Sequence, residues 1–158
     1  MKNYRFGFSL KGFIGFMLVM IPNIIWMIAP PRNNPIAENS ALYPIFNIVV
    51  SVSQAIMIAM LIILVSKESR NEKNIRLYIG VASFCLVSYY VLWIAYYAGV
   101  VYPWMVVCMA VFPSMYFIAI ELLFKNYIAI IPSVVFGITH IVITCSNYLW
   151  QDISRIWS

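Results

Sequence analysis

Two side chains of this sequence could handle a proton in otherwise apolar surroundings. His140, in "FGITHIVIT", is the one histidine, and Glu121, in "IAIELLFK", is the one acid within a long apolar run. Ionisable groups in such places are costly and mark functional sites by default, and imidazole changes charge near neutral pH. His140 has two readings: a hydrogen-bonded histidine that ties helices together, or a group that handles a ligand or a proton. Glu121 stands four residues before Lys125, near the end of its run. That spacing predicts an ion pair, or a side chain snorkelling to the interface.

Most catalytic chemistry lacks its parts. A single histidine cannot build a multi-histidine metal site. Cys85, Cys108 and Cys145 lie in separate apolar runs without paired spacing, so each reads as a small buried hydrophobe rather than a metal ligand or disulfide partner. There is no phosphate-cradling glycine loop, no H-E-x-x-H and no G-x-S-x-G. Ser88 or Ser114 offers a hydroxyl at the depth of His140, yet any serine and histidine sharing a helix bundle would do as much. The expectation is a protein without catalytic activity, cofactor or metal.

A second group of polar residues follows prolines: Asn23 in "IPNIIW", Ser114 in "FPSMYF" and Ser133 in "IPSVVF". Proline inside a helix deletes one backbone hydrogen bond and strands the carbonyl four residues earlier. Membrane helices tolerate this where Ser or Thr side chains, waters or neighbouring helices satisfy the freed group. The residue after each proline is expected to make that repair, and the kinked spans to open room between helices. At 1.5 Å per residue, Asn23, Gln54 and Ser88 fall at a depth of roughly 16 Å, Ser114 at roughly 15 Å and His140 at roughly 20 Å. The hydrocarbon core is about 30 Å thick. Asn23, Gln54, Ser88, Ser114 and His140 therefore make the expected midplane polar cluster, with Ser51 and Thr139 at its margin. Two uses stand open for it: interhelical hydrogen bonds of about 0.6 kcal/mol each, or a binding site for a small molecule.

The elements that must position these residues are membrane helices. The 158 residues are 64% hydrophobic and only 9% charged, with a mean hydropathy of +0.91, whereas soluble domains carry about 25% charged residues. Such a chain cannot cover itself with polar surface in water. Five apolar runs, at about 12–29, 42–65, 77–98, 104–124 and 127–150, approach the roughly 20 residues that a spanning helix needs. The expected fold is an all-α membrane protein: one integral membrane domain over 1–158, a five-helix bundle with proline-kinked spans. Connections at 99–103 and 125–126 are so short that the third, fourth and fifth helices must be antiparallel neighbours. The first run reads as a span rather than a cleaved leader, being long, interrupted by Pro22-Asn23 and followed by "PPRNNP" with no small-x-small site. Before it, "MKNYRFGFSLK" reads as a basic anchor or a segment lying along the membrane surface.

Orientation follows from the basic residues. Lys2, Arg5, Lys11, Lys67, Arg70, Lys73, Arg76 and Lys125 fall on the side of the N-terminus, and only Arg32 and Arg155 on the other. Trp26, Trp93, Trp104, Trp150 and Trp157 all fall towards that second side, as interfacial residues. The N-terminus is expected in the cytoplasm and the C-terminus outside a cell (plasma or inner) membrane. The net charge of +5 belongs to this topology and not to nucleic acid. Lys67, Arg70, Lys73 and Arg76 form either a solvated loop or a contact for a protein partner or anionic lipid. Glu72 and Arg76, spaced i,i+4, suggest that the flanking helices continue past the bilayer. The leading functional expectation is an accessory, regulatory or immunity-type subunit acting through a protein partner, with homo-oligomers open. The alternative is a small-molecule or ion transporter built on the midplane cluster.

Overall fold

A computed structural model describes residues 4–67 and 74–150. A short strand, β1 (Tyr4–Phe6), leads into α1 (Leu10–Ile28); a loop with one 3-10 turn (Pro35–Glu38) leads to α2 (Pro44–Ile63), which runs directly into β2 (Leu64–Ser66). Helices α3 (Ile75–Tyr97), α4 (Pro103–Leu123) and α5 (Tyr127–Cys145) follow, the last continuing into a wider π turn at Ser146–Trp150. All five helices are long and apolar enough to cross a membrane, the mark of a multi-pass membrane protein. Their limits lie within two residues of the expected runs, except that the regular α-helix of α5 stops at Cys145.

Local chemistry explains the helix starts and turns. Ser9 caps α1, its hydroxyl accepting from Gly12 N at 3.1 Å. Helices α2 and α4 begin on Pro44 and Pro103, whose missing N–H costs nothing in a first turn. The α3–α4 turn uses Gly99 at φ 86°, while the tight α4–α5 turn puts Lys125 at φ 56°. There Asn126 N donates to Glu121 O at 2.8 Å, closing the end of α4.

α4 is the central helix. Of its span, 56% is buried inside the bundle, against 17–33% for the other four. It packs on α3 and α5, and α2 packs on α5. α1 lies across the group through close backbone approaches, which small residues permit in membranes. A Cβ on Gly12 would meet Leu61 O of α2 at 2.0 Å, and one on Gly15 would meet Ile120 Cδ1 of α4 at 3.0 Å.

The N-terminal segment departs from expectation. Instead of lying free along the surface, β1 pairs antiparallel with β2, Tyr4 opposite Ser66 and Phe6 opposite Leu64. Pairing continues as Gly7 N donates to Ile63 O at 2.9 Å and Ser9 N to Ile62 O at 2.7 Å. The last carbonyls of a helix have no partner within it. Here Gly7 and Ser9, just after β1, take two of those of α2, while Asn126 Nδ2 donates to Met60 O at 2.8 Å and Leu64 O at 3.2 Å. The bundle is thus all-α apart from this ribbon, and α2 is not prolonged as a helix beyond Ile63.

Two further expectations change. Trp93 faces the core and not the bundle surface: it is 5% exposed and edge-on to Tyr89 and Tyr96. Glu121 neither snorkels nor pairs with Lys125; it is fully buried and its Oε1 accepts from Ser133 Oγ. The helical i,i+4 spacing is not met, because α4 ends at Leu123 and Lys125 stands in the turn at φ 56°, while the end of α4 faces α5 and the carboxyl turns into that seam.

Candidate functional site

A cavity of about 310 Å³ lies among all five helices, in the half of the bundle away from the ribbon. Along α1 its wall runs from Phe16 to Met27, roughly 16 Å of helix. Ile36 and Asn39, from the loop between α1 and α2, close its outer end. Most of the wall is apolar and aromatic. Into it the helices bring Asn23 from α1, Gln54 from α2, and His140 and Thr144 from α5, together with Tyr89 and Trp93 from α3.

Three of the five residues expected at the midplane line this one cavity: Asn23, Gln54 and His140. Ser114 does not reach the cavity. It is buried, its hydroxyl donates to Ala110 O at 2.8 Å, and it packs where a Cβ on Gly137 would come within 3.0 Å of its own Cβ. It serves the close contact of α4 with α5. Ser88 is half-buried on α3 and also lies off the cavity wall, where its neighbour Tyr89 takes the place expected of it. Ser51 is exposed, and Thr139 donates to Val135 O within its own helix.

The proline repair also differs from expectation. Pro22 strands the carbonyl of Leu18, and the donor to Leu18 O is the Tyr90 hydroxyl of α3 at 2.7 Å. Asn23 instead donates to Val19 O at 2.9 Å and to the Tyr89 hydroxyl at 2.8 Å. Ser114 and Ser133 likewise bond the carbonyls four residues before themselves, those of Ala110 and Ala129. A neighbouring helix mends the first break, which leaves Asn23 to join α1 to α3 on the cavity wall.

The outer end is closed by a hydrogen-bonded loop. Asn34 Oδ1 accepts from Trp26 Nε1 at 2.7 Å and from the Tyr96 hydroxyl at 2.9 Å. Asn39 Nδ2 donates to Thr144 Oγ1 at 3.0 Å, and Asn39 Oδ1 accepts from Asn147 Nδ2 at 2.8 Å. The Tyr148 hydroxyl donates to Pro35 O at 2.8 Å. Helices α1, α3 and α5 with its π turn thereby hold the Pro/Asn-rich loop over the cavity. The sequence reading passed over Asn34, Asn39 and the aromatic column. The signal for the column was present, since Tyr89, Trp93 and Tyr96 repeat at i, i+4 and i+7, one face of a helix.

Three polar groups of the wall stand apart, the first being Trp93 Nε1, buried with no hydrogen-bond partner. The His140 ring stacks on Phe136, with centroids 5.4 Å apart and planes 12° from parallel. Neither the imidazole nor the Gln54 amide has a hydrogen-bond partner among the described residues. Their donors and acceptors are open to whatever fills the space. None of the lining side chains is Asp, Glu, Lys or Arg, and no cluster of metal-ligating residues occurs among the described residues. The cavity can hydrogen-bond a molecule but has no countercharge for an ion.

Of the basic residues singled out as a contact, Lys67 follows β2 and Arg76 is exposed in the first turn of α3, while Arg70 and Lys73 lie outside the described residues. Comparison of the chain with protein-family models, with curated proteins and with solved structures finds no match.

Proposed function

We propose that this chain is a non-enzymatic, multi-pass protein of the cell membrane that binds a small uncharged molecule inside its helix bundle and serves as its carrier or receptor. The observation behind this reading is the pair of cavity side chains, Gln54 and His140, that have no protein partner. Unpaired polar groups in a site cost binding free energy unless a ligand or water meets them. The aromatic wall suits an apolar body, and Gln54 and His140 suit one hydrogen-bonding end.

The proposed orientation keeps the N-terminus in the cytoplasm. Arg5, Lys11, Lys67, Arg76 and Lys125 all stand at the ribbon end of the bundle, against Arg32 at the other, which matches the positive-inside bias. The cavity then lies in the outer half of the membrane, beneath the external loop.

Native mass spectrometry of the protein, extracted from its own membranes in a mild detergent, tests the binding reading. The wild type is expected to carry a small-molecule mass that the Gln54→Leu/His140→Leu double variant has lost while still eluting at the same volume. A stoichiometric second protein on a chain that holds no small molecule would overturn it in favour of an accessory subunit.

A further inference from the structure

Glu121 stands outside the cavity, and ligand binding there makes no use of it. It is fully buried in the seam between α4 and α5. Ser133 Oγ lies 2.5 Å from Glu121 Oε1 and 3.0 Å from Ala129 O. Were the carboxyl ionised, both of those oxygens would be acceptors, and a serine hydroxyl has one proton to give. The carbonyl four residues back is the usual acceptor for a serine inside a helix.

The hydrogen count closes when the second proton is on the carboxyl. Glu121 then donates to Ser133 Oγ, and Ser133 donates to Ala129 O. A separation of 2.5 Å is at the short end of the O–H···O range. The other oxygen, Oε2, is buried with no hydrogen-bond partner. As the carbonyl of an acid it forgoes one hydrogen bond; as half of a carboxylate it would hold bare charge in a dry seam. Titratable groups on the elements around this end are Tyr4 and Arg5 of β1, Lys11 of α1, Lys67 after β2, Arg76 and Tyr78 of α3, Tyr116 of α4, Lys125 of the turn and Tyr127 of α5. The carboxyl's own hydrogen bonding is to Ser133 through Oε1, with no partner on Oε2, and the Tyr116 hydroxyl donates to Gly15 O at 3.0 Å.

We propose that Glu121 is a proton-binding site in the α4–α5 seam, held as the carboxylic acid and linked through Ser133 to Ala129 O. Loss of its proton to water leaves Ser133 one proton for two acceptors and puts a negative charge between the two helices, so proton occupancy decides whether the seam stays closed.

Infrared spectroscopy of the full chain in lipid at neutral pH tests this. Glu121 is the only acid within a span, and the chain has five acids in all, so the assignment is simple. The wild type is expected to show a protonated-carboxyl carbonyl band that shifts in D2O and is lost in Glu121→Gln. Absence of that band from the wild type, or its survival in Glu121→Gln, overturns the proposal. Should Glu121→Gln not fold, Ser133→Ala keeps the acid and must shift the band; an unmoved band overturns the link through Ser133.

Discussion

Asn23 Nδ2 donates to the Tyr89 hydroxyl over 2.8 Å, joining α1 to α3 across 66 positions of the chain. The bond lies on the wall of the cavity. With the Tyr90 bond to Leu18 O and the Tyr116 bond to Gly15 O, this link helps to decide where one wall stands.

Its strength can be measured by a double-mutant cycle. Tyr89→Phe removes the acceptor and leaves Asn23 its bond to Val19 O; Asn23→Leu removes both. Interhelical hydrogen bonds in membranes average about 0.6 kcal/mol, with a maximum of about 1.7. Unfolding of the two single variants and the double variant in bicelles should give a coupling in that range. A coupling of zero would mean that packing and the Tyr90 and Tyr116 bonds place α1 without this link.

Gly12→Ala should be far more damaging than its chemistry suggests. The new methyl would stand 2.0 Å from Leu61 O, a backbone atom that cannot swing aside. The first turn of α1 must then leave α2, taking with it the pairing of Gly7 and Ser9 to Ile63 and Ile62. Gly80→Ala is the control, because nothing lies within 4 Å of a Cβ there. It should hold or gain stability, alanine being favoured over glycine in helices by about 1 kcal/mol. Thermal unfolding in detergent would separate the two, and equal midpoints would show that the α1–α2 contact is loose.

The loop over the cavity should depend on Asn34. Its Oδ1 takes two donors, Trp26 and Tyr96, and hydrogen bonds contribute about 0.5–1.5 kcal/mol each. Losing both in Asn34→Ala amounts to about 1–3 kcal/mol, or roughly five- to 150-fold faster opening. Amide hydrogen exchange should quicken at residues 33–42 and stay unchanged in the middle of α4. Asn34→Asp keeps an acceptor and should retain most of the protection. Equal exchange in all three proteins would show that other contacts hold the loop.

Much of this architecture was legible in the sequence because hydrocarbon thickness and hydropathy set span lengths almost alone. Depth arithmetic also brought Asn23, Gln54 and His140 to neighbouring levels, and all three line the cavity. It failed for Ser88 and Ser114 because depth fixes position along a helix axis but not rotation about it. Ser88 sits one residue, about 100° of rotation, from the face that Tyr89 presents. Glu121 misled for a related reason. Its i,i+4 spacing to Lys125 presumes one unbroken helix, whereas α4 stops at Leu123 before Lys125 is reached, and the seam that captures the carboxyl depends on α5. Pairing of residues 4–9 with the end of α2 was beyond reach, since it rests on which carbonyls a distant helix leaves unmet.

Charge should discriminate among molecules that enter the cavity. No lining side chain carries a formal charge, and taking an ion from water costs several kcal/mol unless a countercharge answers it. Trp26 and Trp93 both line the space, so their fluorescence reports an occupant directly. An uncharged alkylphenol should quench the wild type saturably in nanodiscs, and the Gln54→Leu/His140→Leu variant should bind it at least about tenfold more weakly, the equivalent of about 1.4 kcal/mol. A quaternary ammonium of matched size should leave the emission unchanged at the same concentrations. Saturable quenching by the cation would mean that the aromatic wall, with Trp26, Trp93 and Tyr89, recognises positive charge through ring faces, and the uncharged-ligand reading would fall.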